Sequence, residues 1–284
     1  MRYAILSDIH ANLPALHAVL DDLAAQSIDT TICLGDAIGY YADGAAVIAL
    51  LRDLVAPRDC MADGQLTTAP LWVAGNHEWG LLNRIEAYQF SAAARTALTR
   101  ARADLPAATS SFLAGLPQQI EADLGDGLAA TIVHAAPGDP VGATGAGYIE
   151  NSEDARDAAQ AFHCQICLVG HTHYPRICRE IAQGERGRPN WATTDVFEDV
   201  LPGGSCLFGA ERLIFNPGSV GQPRDGDPRA SYAILDSAAR SFAVRRVAYD
   251  IPAAQARVRS WLKRAPAELL NGHGGLAERL LRGI

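Results

Sequence analysis

The chain has 284 residues, of which 49% are hydrophobic, and its formal net charge is −8. A chain of this size buries a large core, so we expect one globular domain over residues 1–284. The negative charge argues against a nucleic-acid polymer as partner, because such partners require a basic surface. No apolar run is long enough for a membrane span, and the N-terminus lacks the pattern of a signal peptide. We therefore expect a cytoplasmic protein without membrane attachment.

Hydrophobic patterns predict an alternation of strands and helices along the chain. Strands are predicted at residues 2–7, 30–34, 71–74, 129–133, 164–169, 212–215, 231–236 and 241–248. Helices are predicted after Asn12, which has the character of an N-cap, and at residues 45–55, 253–263 and 275–282. Helical patterns also fill residues 78–117, which we interpret as a cap insertion near a site. The Gly/Pro/charge-rich residues 183–204 predict an inserted loop or hairpin, and the glycine-rich residues 137–147 predict a flexible loop for substrate access.

Five short motifs of metal-ligand residues follow the carboxyl ends of predicted strands. They are Asp8-Ile9-His10, Gly35-Asp36, Gly75-Asn76-His77-Glu78, His134 and Gly170-His171-Thr172-His173. Loops at this position can aim side chains from several strands at one point. The motifs combine oxygen and imidazole donors, which suit two divalent transition metals. Two such metals can clamp a phosphate and activate a water, so the sequence predicts a phosphoester-hydrolysing site.

Each motif alone also has a structural explanation, such as a helix cap for Asp36. Only their joint occurrence in order, each at a strand end, favours the metal site. Cys164 and Cys167 have the spacing of a redox or zinc motif. Their apolar neighbours and the lack of a second such pair favour a buried strand with free thiols instead.

The motifs, together with residues 216–226 (Asn-Pro-Gly-Ser-Val-Gly-Gln-Pro-Arg-Asp-Gly), resemble the calcineurin-like metallophosphoesterase superfamily, in a bacterial and archaeal branch related to diadenosine tetraphosphatases. The resemblance implies a four-layer α/β/β/α sandwich with a dinuclear metal site at one edge and a small helical cap. It implies manganese or iron, with zinc as a further option, and a metal-activated water as nucleophile.

The same resemblance implies a role for each motif residue. The first metal would be held by Asp8, His10, Asp36 and His173, with Asp36 bridging, and the second would be completed by Asn76, His134 and His171. In the catalytic step, His77 would support the leaving oxygen, and Glu78 would orient His77.

Two positions depart from the pattern of the Ser/Thr protein phosphatases in this superfamily. Ala37 follows Asp36 where those enzymes carry a phosphate-gripping arginine, and Ala74 stands where they place an arginine. Another cation is therefore needed to hold the substrate, and we expect Arg224 and Arg229 to supply it. The alternative is that both are ordinary solvated loop arginines. Tyr40 is expected to stack on a nucleobase, with core packing as the alternative.

The sequence thus predicts a dinuclear metal-dependent hydrolase of phosphoester or phosphoanhydride bonds. We expect small nucleotides as substrates, with dinucleoside polyphosphates preferred. A general phosphomonoesterase or phosphodiesterase, including a Ser/Thr protein phosphatase, is the alternative within enzymes. A non-catalytic metal-binding scaffold is the alternative of another class. The oligomeric state is left open.

Overall fold

The computed structural model describes residues 1–144, 147–181, 190–195 and 205–263. Its strands are β1 (Arg2–Leu6), β2 (Thr30–Cys33), β3 (Pro57–Ala62), β4 (Gln65–Pro70), β5 (Gln119–Asp123), β6 (Ala129–Val133), β7 (Ile166–Leu168), β8 (Pro175–Ile181), β9 (Asn190–Asp195), β10 (Cys206–Leu207), β11 (Leu213–Pro217), β12 (Ala230–Asp236) and β13 (Ser241–Val247). Its α-helices are α1 (Leu13–Leu23), α2 (Gly44–Leu54), α3 (Asn76–Leu81), α4 (Ala92–Asp104), α5 (Ala107–Ala114), α6 (Ser152–Ala158) and α7 (Ile251–Lys263).

The strands form two mixed sheets. The smaller has the order β10-β13-β12-β1-β2, and the larger has the order β4-β3-β5-β6-β7-β11-β8-β9. β1 runs parallel to β2 in the smaller sheet, and β6, β7 and β11 are parallel neighbours in the larger. Each sheet therefore places the loops that follow its parallel strands at one edge.

Strand β1 shows how sequence alternation builds the layers. Tyr3 and Ile5 pack into the core between the two sheets, whereas Ala4 and Leu6 pack against the helices that cover the smaller sheet. All four are buried, so β1 is apolar on both faces, as a central strand between two cores must be. A third apolar cluster packs α6 against the larger sheet. The expected four-layer α/β/β/α sandwich is confirmed.

Helix α1 begins where the sequence predicts. The side-chain oxygen of Asn12 accepts a hydrogen bond from the amide of Ala15 at 3.3 Å, which satisfies one of the amides left free at a helix start. Pro14 lies in the first turn, where its missing N–H costs nothing. This cap fixes the helix directly after the loop that carries Asp8 and His10.

Four features of the fold differ from the sequence-based expectation or lie beyond it. Residues 71–74 are not a strand, because only Trp72 pairs with β2, through a single parallel bridge to Cys33. The hairpin of β3 and β4 and the strands β5 and β8 were not predicted. β9 lies within the predicted 183–204 insertion and pairs antiparallel with β8, which precedes the insertion. The remaining residues of that insertion and the predicted helix at 275–282 lie outside the described residues.

The segment predicted as a cap, residues 78–117, contains the end of α3 and all of α4 and α5. Leu98 of α4 and Phe90 belong to the same core cluster as Leu81 of α3, so this segment packs directly beside the loops that follow the strands. All six cysteines are free, and Cys167 is buried within β7, as expected. None of the helices in the described ranges has the length and hydropathy needed to cross a bilayer.

Candidate active site

The motif loops of both sheets meet at one edge of the sandwich. The amide of Asp8 donates to the carbonyl of Gly35 at 3.2 Å, which joins the loops after β1 and β2. The amide of Gly170 donates to the carbonyl of His134 at 2.7 Å, which joins the loops after β6 and β7. The amide of His171 donates to Asp8 Oδ2 at 3.1 Å and so links the two sheets. Residues more than 160 positions apart thus share one buried cluster.

His10 and His173 form the first part of this cluster. Their Nε2 atoms lie 3.1 Å apart. Nδ1 of His10 lies 3.1 Å from the carbonyl oxygen of Ile38, and Nδ1 of His173 lies 2.5 Å from that of Gln222. Because a carbonyl only accepts hydrogen bonds, both Nδ1 atoms carry a proton. Burial lowers the pKa of both rings, so they are neutral and their Nε2 lone pairs face each other.

Two facing lone pairs repel one another, but they can share a cation. The carboxylate of Asp8 supplies the matching charge, since its Oδ1 lies 3.3 Å from His173 Nε2 and 3.8 Å from His10 Nε2. This oxygen is buried and has no hydrogen-bond partner among the described residues. A buried, unpaired carboxylate oxygen is costly unless a cation binds it. The three residues therefore fit a divalent metal ion by donor type and orientation.

A second group of donors surrounds His134. Its Nε2 lies 3.4 Å from Asp36 Oδ2, 3.2 Å from Asn76 Oδ1 and 3.2 Å from His171 Nδ1. Burial opposes a charge on His134, but the carboxylates of Asp36 and Asp8 outweigh burial and raise the pKa of the ring to about 10. The cluster thus attracts positive charge, which a divalent ion supplies. Nε2 of His171 is a further buried atom without a partner in the described ranges.

Asp36 lies between the two groups. Its Oδ2 is 3.4 Å from His134 Nε2 and 3.8 Å from His10 Nε2. One carboxylate oxygen therefore lies close to imidazoles of both donor groups.

Five of the candidate ligands have left-handed backbone conformations. The φ angles are 53° at Asp8, 51° at His10, 50° at Asp36, 66° at His171 and 64° at His173. This conformation costs a residue with a Cβ about 1 kcal/mol or more, and it persists where the surrounding structure and a function require it. The concentration of such angles in three loops marks the cluster as a functional site.

Glu78 supports the cluster through the backbone. It is fully buried, and its carboxylate accepts hydrogen bonds from the amides of Asp36 and Gly75 at 2.8 Å each and of Ile38 at 3.2 Å. It therefore ties the loop after β2 to the start of α3. The carboxylate contacts these three amides and not the His77 ring. Glu78 acts on His77 only through the backbone that carries it.

His77 lies beside the two donor groups just described, and a ring nitrogen of His77 forms a third set of atoms that could hold a metal ion, together with donor atoms of His10 and Asp36. Its ring packs edge-on against His10, with 4.7 Å between ring centroids, and in a tilted arrangement against Tyr40, at 4.8 Å. Its Nε2 lies 3.9 Å from Asp36 Oδ2. Burial lowers the pKa of His77 to about 4, against the opposing effect of Asp36, so the ring is neutral at neutral pH. A neutral imidazole can still donate an N–H to a leaving oxygen.

A cavity of about 490 Å³ opens directly over the cluster. Asp36, Asn76, His77, His171 and His173 line it from the metal side. Its other lining residues are Tyr40, Gln89, Phe90, Ser91, Ala94, Tyr148, Tyr174 and Arg224. Of these, the sequence predicted only Tyr40 and Arg224. Tyr174 directly follows His173, and that adjacency could have identified it, whereas Phe90 and Tyr148 reach the cavity only through the tertiary fold.

The two predicted substrate arginines have different positions. The guanidinium of Arg224 lines the cavity, where its Nη2 lies 3.1 Å from Gln222 Oε1 and 3.5 Å from the Tyr40 hydroxyl. Arg229 is half exposed and forms a bidentate ion pair with Asp227, in which Nη2 of Arg229 lies 2.6 Å from Oδ2 of Asp227. It is not among the residues that line the cavity. The structure thus brings Arg224, and not Arg229, to the site.

Comparison with known proteins gives matches over most of the chain. A family model described as calcineurin-like phosphoesterase superfamily domain matches residues 1–240. The uncharacterized protein MJ0912 of Methanocaldococcus jannaschii is 30% identical over 257 residues, which make up 90% of each chain. The crystal structure of a metallophosphoesterase from Sphaerobacter thermophilus is 32% identical, has a TM-score of 0.74, and aligns over 100% of this chain and 99% of that one.

The crystal structure of the hypothetical protein PH1004 from Pyrococcus horikoshii OT3 shares the fold, with a TM-score of 0.64 at 17% identity over 95% and 96% of the two chains. The family match extends past every motif described above, and the candidate metal ligands of those motifs lie together at one edge of the fold. The chain therefore belongs to the calcineurin-like phosphoesterase superfamily, and it is a metal-dependent phosphoester hydrolase.

Proposed function

We propose that this protein hydrolyses phosphoanhydride or phosphoester bonds of small nucleotides in the cytoplasm, with dinucleoside polyphosphates as preferred substrates. Two divalent ions, manganese or iron with zinc as a further option, would be held by Asp8, His10, Asp36, Asn76, His134, His171 and His173. The observation that carries this proposal is the position of Arg224 and several aromatic side chains around a cavity whose floor holds the donor cluster.

The bound metals, Arg224 and His77 would have different roles in hydrolysis. The metals, when bound, supply an activated water and polarise the phosphoryl group. Arg224 can hold non-bridging phosphoryl oxygens, because its guanidinium offers several N–H donors in one plane. His77 can donate a hydrogen bond or proton to the oxygen that leaves when the P–O bond breaks. The negative charge of an arriving phosphate raises the pKa of His77 from its low value and so favours proton donation.

The walls of the cavity support a nucleotide. Tyr148 and Tyr174 line the cavity and are 42% and 39% exposed, so part of each ring is accessible to a ligand. Phe90 and Tyr40 line the cavity as well. Aromatic faces stack on nucleobases, and a volume of about 490 Å³ lies within the range of small-molecule sites.

One observation favours the alternative of a general phosphomonoesterase or phosphodiesterase. Arg224 is the only lysine or arginine among the described residues that line the cavity. A single cation beside the donor cluster neutralises the negative charge of one phosphoryl group more completely than that of a polyphosphate chain. The choice between the two substrate classes therefore depends on measured specificity.

A substrate screen tests this proposal. The purified protein is reconstituted separately with Mn²⁺, Fe²⁺ and Zn²⁺, and kcat/KM is measured for diadenosine polyphosphates, cyclic nucleotides, a phosphoserine peptide and an aryl phosphate. We expect the highest kcat/KM for a diadenosine polyphosphate. Equal or higher values for the phosphoserine peptide or the aryl phosphate would replace the nucleotide assignment with the general phosphatase.

A further inference from the structure

The loop at residues 218–229 connects the two sheets, since it leads from β11 in the larger sheet to β12 in the smaller one. The first part of the loop is attached to the metal-ligand loops. Ser219 donates its hydroxyl to the carbonyl of Asp8 at 2.7 Å, and the amide of Gly221 donates to the same carbonyl at 3.0 Å. The carbonyl of Gln222 accepts from Nδ1 of His173 at 2.5 Å. The loop is therefore fixed to the site up to Gln222.

The last part of the loop is held by Arg246 of β13. The guanidinium of Arg246 forms an ion pair with Asp225. Its Nη1 also donates to the backbone carbonyls of Arg229 at 3.2 Å and Asp227 at 3.5 Å. The side chain of Arg246 is only 5% exposed, and that of Asp225 is 13% exposed. One buried cation thus holds the loop at three points that follow Arg224 in the sequence.

Arg224 lies between these two attachments. Its guanidinium reaches the cavity past Gln222 on one side and Tyr40 on the other. A long side chain loses conformational entropy when it binds a ligand, and a fixed backbone beneath it reduces this loss. Because the loop has attachments on both sides of Arg224, the backbone at this position is set before any phosphate arrives.

We propose that Arg246 is a positioning residue for phosphate binding, which acts through Asp225 and the loop backbone to hold Arg224 at the metal site. This inference rests on the proposed role of Arg224 in binding phosphoryl oxygens. Burial lowers the pKa of Arg246 to about 10, so it remains charged at neutral pH and keeps its ion pair. Arg246 itself is not among the residues that line the cavity over the metal cluster.

The neighbouring Arg245 provides a matched control. It lies on the same strand but points to the other face of the sheet, where its guanidinium pairs with Asp22 of α1 at 2.6 and 2.8 Å. Arg245→Gln removes a charge and an ion pair from β13 without touching the loop. A general effect of weakening this strand would therefore appear in both Arg245→Gln and Arg246→Gln.

The test is a double-mutant cycle on the affinity for inorganic phosphate. Titration calorimetry on the Mn²⁺-loaded protein measures this affinity without turnover, and KM and kcat for an aryl phosphate are measured beside it. We expect Arg246→Gln to weaken phosphate binding about tenfold and to raise KM with little change in kcat. We expect no such effect for Arg245→Gln. In the Arg224→Ala background, Arg246→Gln should have little further effect on phosphate affinity.

Independent effects of the two substitutions, or an unchanged phosphate affinity in Arg246→Gln, would overturn the inference. If Arg246→Gln does not fold, Asp225→Asn tests the same link from the loop side, with the same cycle against Arg224→Ala. The calorimetry also separates this inference from the proposed function. A wild-type protein that hydrolyses no nucleotide but shows the coupled phosphate affinities would refute the substrate assignment alone.

Discussion

The amide of His77 donates a hydrogen bond to Oδ1 of Asp36 at 2.8 Å, which leaves Oδ2 of the same carboxylate facing the imidazoles of both donor groups. The two oxygens of Asp36 thus have separate tasks. One fixes the start of α3, where Asn76 and His77 lie, and the other is free for metals. Asp36 thus links both donor groups to the backbone of His77.

Replacement of Asp36 should therefore weaken the metal centre more than replacement of any other ligand. The wild-type protein is expected to bind about two divalent ions and to lose activity when a chelator removes them. Asp36→Asn removes the negative charge shared by both positions, and we expect at most about one ion to remain after dialysis. Elemental analysis measures the stoichiometry, with Asp104→Asn on the surface as the control. Full occupancy with full activity in Asp36→Asn would contradict a bridging role.

His77 should affect turnover and not metal binding, because its ring lies outside the two donor groups. We expect His77→Ala to keep both metals and the fold and to lower kcat by about 10²–10⁴. The loss should be smaller for an aryl phosphate, whose leaving group needs little protonation. The exposed His17 in α1 offers a matched control, and His17→Ala should have no effect. A lost metal in His77→Ala would show instead that His77 is a ligand.

Gly39 has no side chain, and this leaves the space that the His77 ring occupies. Its φ is +109°, and a Cβ at this position would lie 2.1 Å from Nδ1 of the His77 ring. Gly39→Ala should therefore displace the ring and lower kcat about 10²-fold. Gly64 also has a left-handed φ, +79°, but a Cβ there would meet no atom within 4 Å. Gly64→Ala has the same type of backbone strain without the clash, so its kcat should match that of the wild type. Equal kcat values for the two variants would show that the displacement does not occur.

The two loop arginines should differ in their effect on substrate binding. We expect Arg224→Ala to raise KM for a diadenosine polyphosphate more than for an aryl phosphate, because the polyphosphate carries more negative charge that the guanidinium no longer offsets. Arg229→Ala should change neither value by much, since its guanidinium is already paired with Asp227. Steady-state kinetics on both substrates measures the difference. Similar changes in KM for both variants would place Arg229 at the site as well.

Asp22 should contribute to stability in a manner that depends on pH. Its hydrogen bonds from Arg245 and Tyr232 join α1 to β13 and β12, and they lower its pKa. A carboxyl whose folded pKa is lowered stabilises the protein above its unfolded pKa, near 3.9, and loses this effect as pH falls through the folded value.

We therefore expect Asp22→Asn to cost about 1 kcal/mol at pH 7, allowing for its partial exposure. Urea unfolding at pH 7 and at decreasing pH below 4 measures this cost, which should shrink toward zero. The adjacent exposed Asp21 supplies the control, as Asp21→Asn should be neutral throughout. A cost that stays constant with pH would show that the contribution is not electrostatic.

The sequence alone was sufficient to predict β1, β2, β6 and β7, which precede four of the five motifs, and most of the helices around them. β1 is apolar from Tyr3 to Leu6, α1 has a visible cap at Asn12, and four of the five motifs follow a strand. The sequence-based prediction failed for the hairpin of β3 and β4. Their residues are mostly exposed and so lack the hydrophobic alternation that identifies a strand. Residues 71–74 are apolar enough to predict a strand, but they pair at one residue only.

The sequence by itself determined the set of donor atoms and their order along the chain, because residue type decides which side chains can bind a metal. Only the tertiary structure decided which donors face each other and in which protonation state. The tautomers of His10 and His173 follow from the carbonyls of Ile38 and Gln222, which belong to other loops. The same holds for Arg224 and Arg229, which are alike in sequence but were separated by their contacts with Gln222 and Asp227. Such contacts join residues distant in the chain, and local sequence patterns carry no information about them.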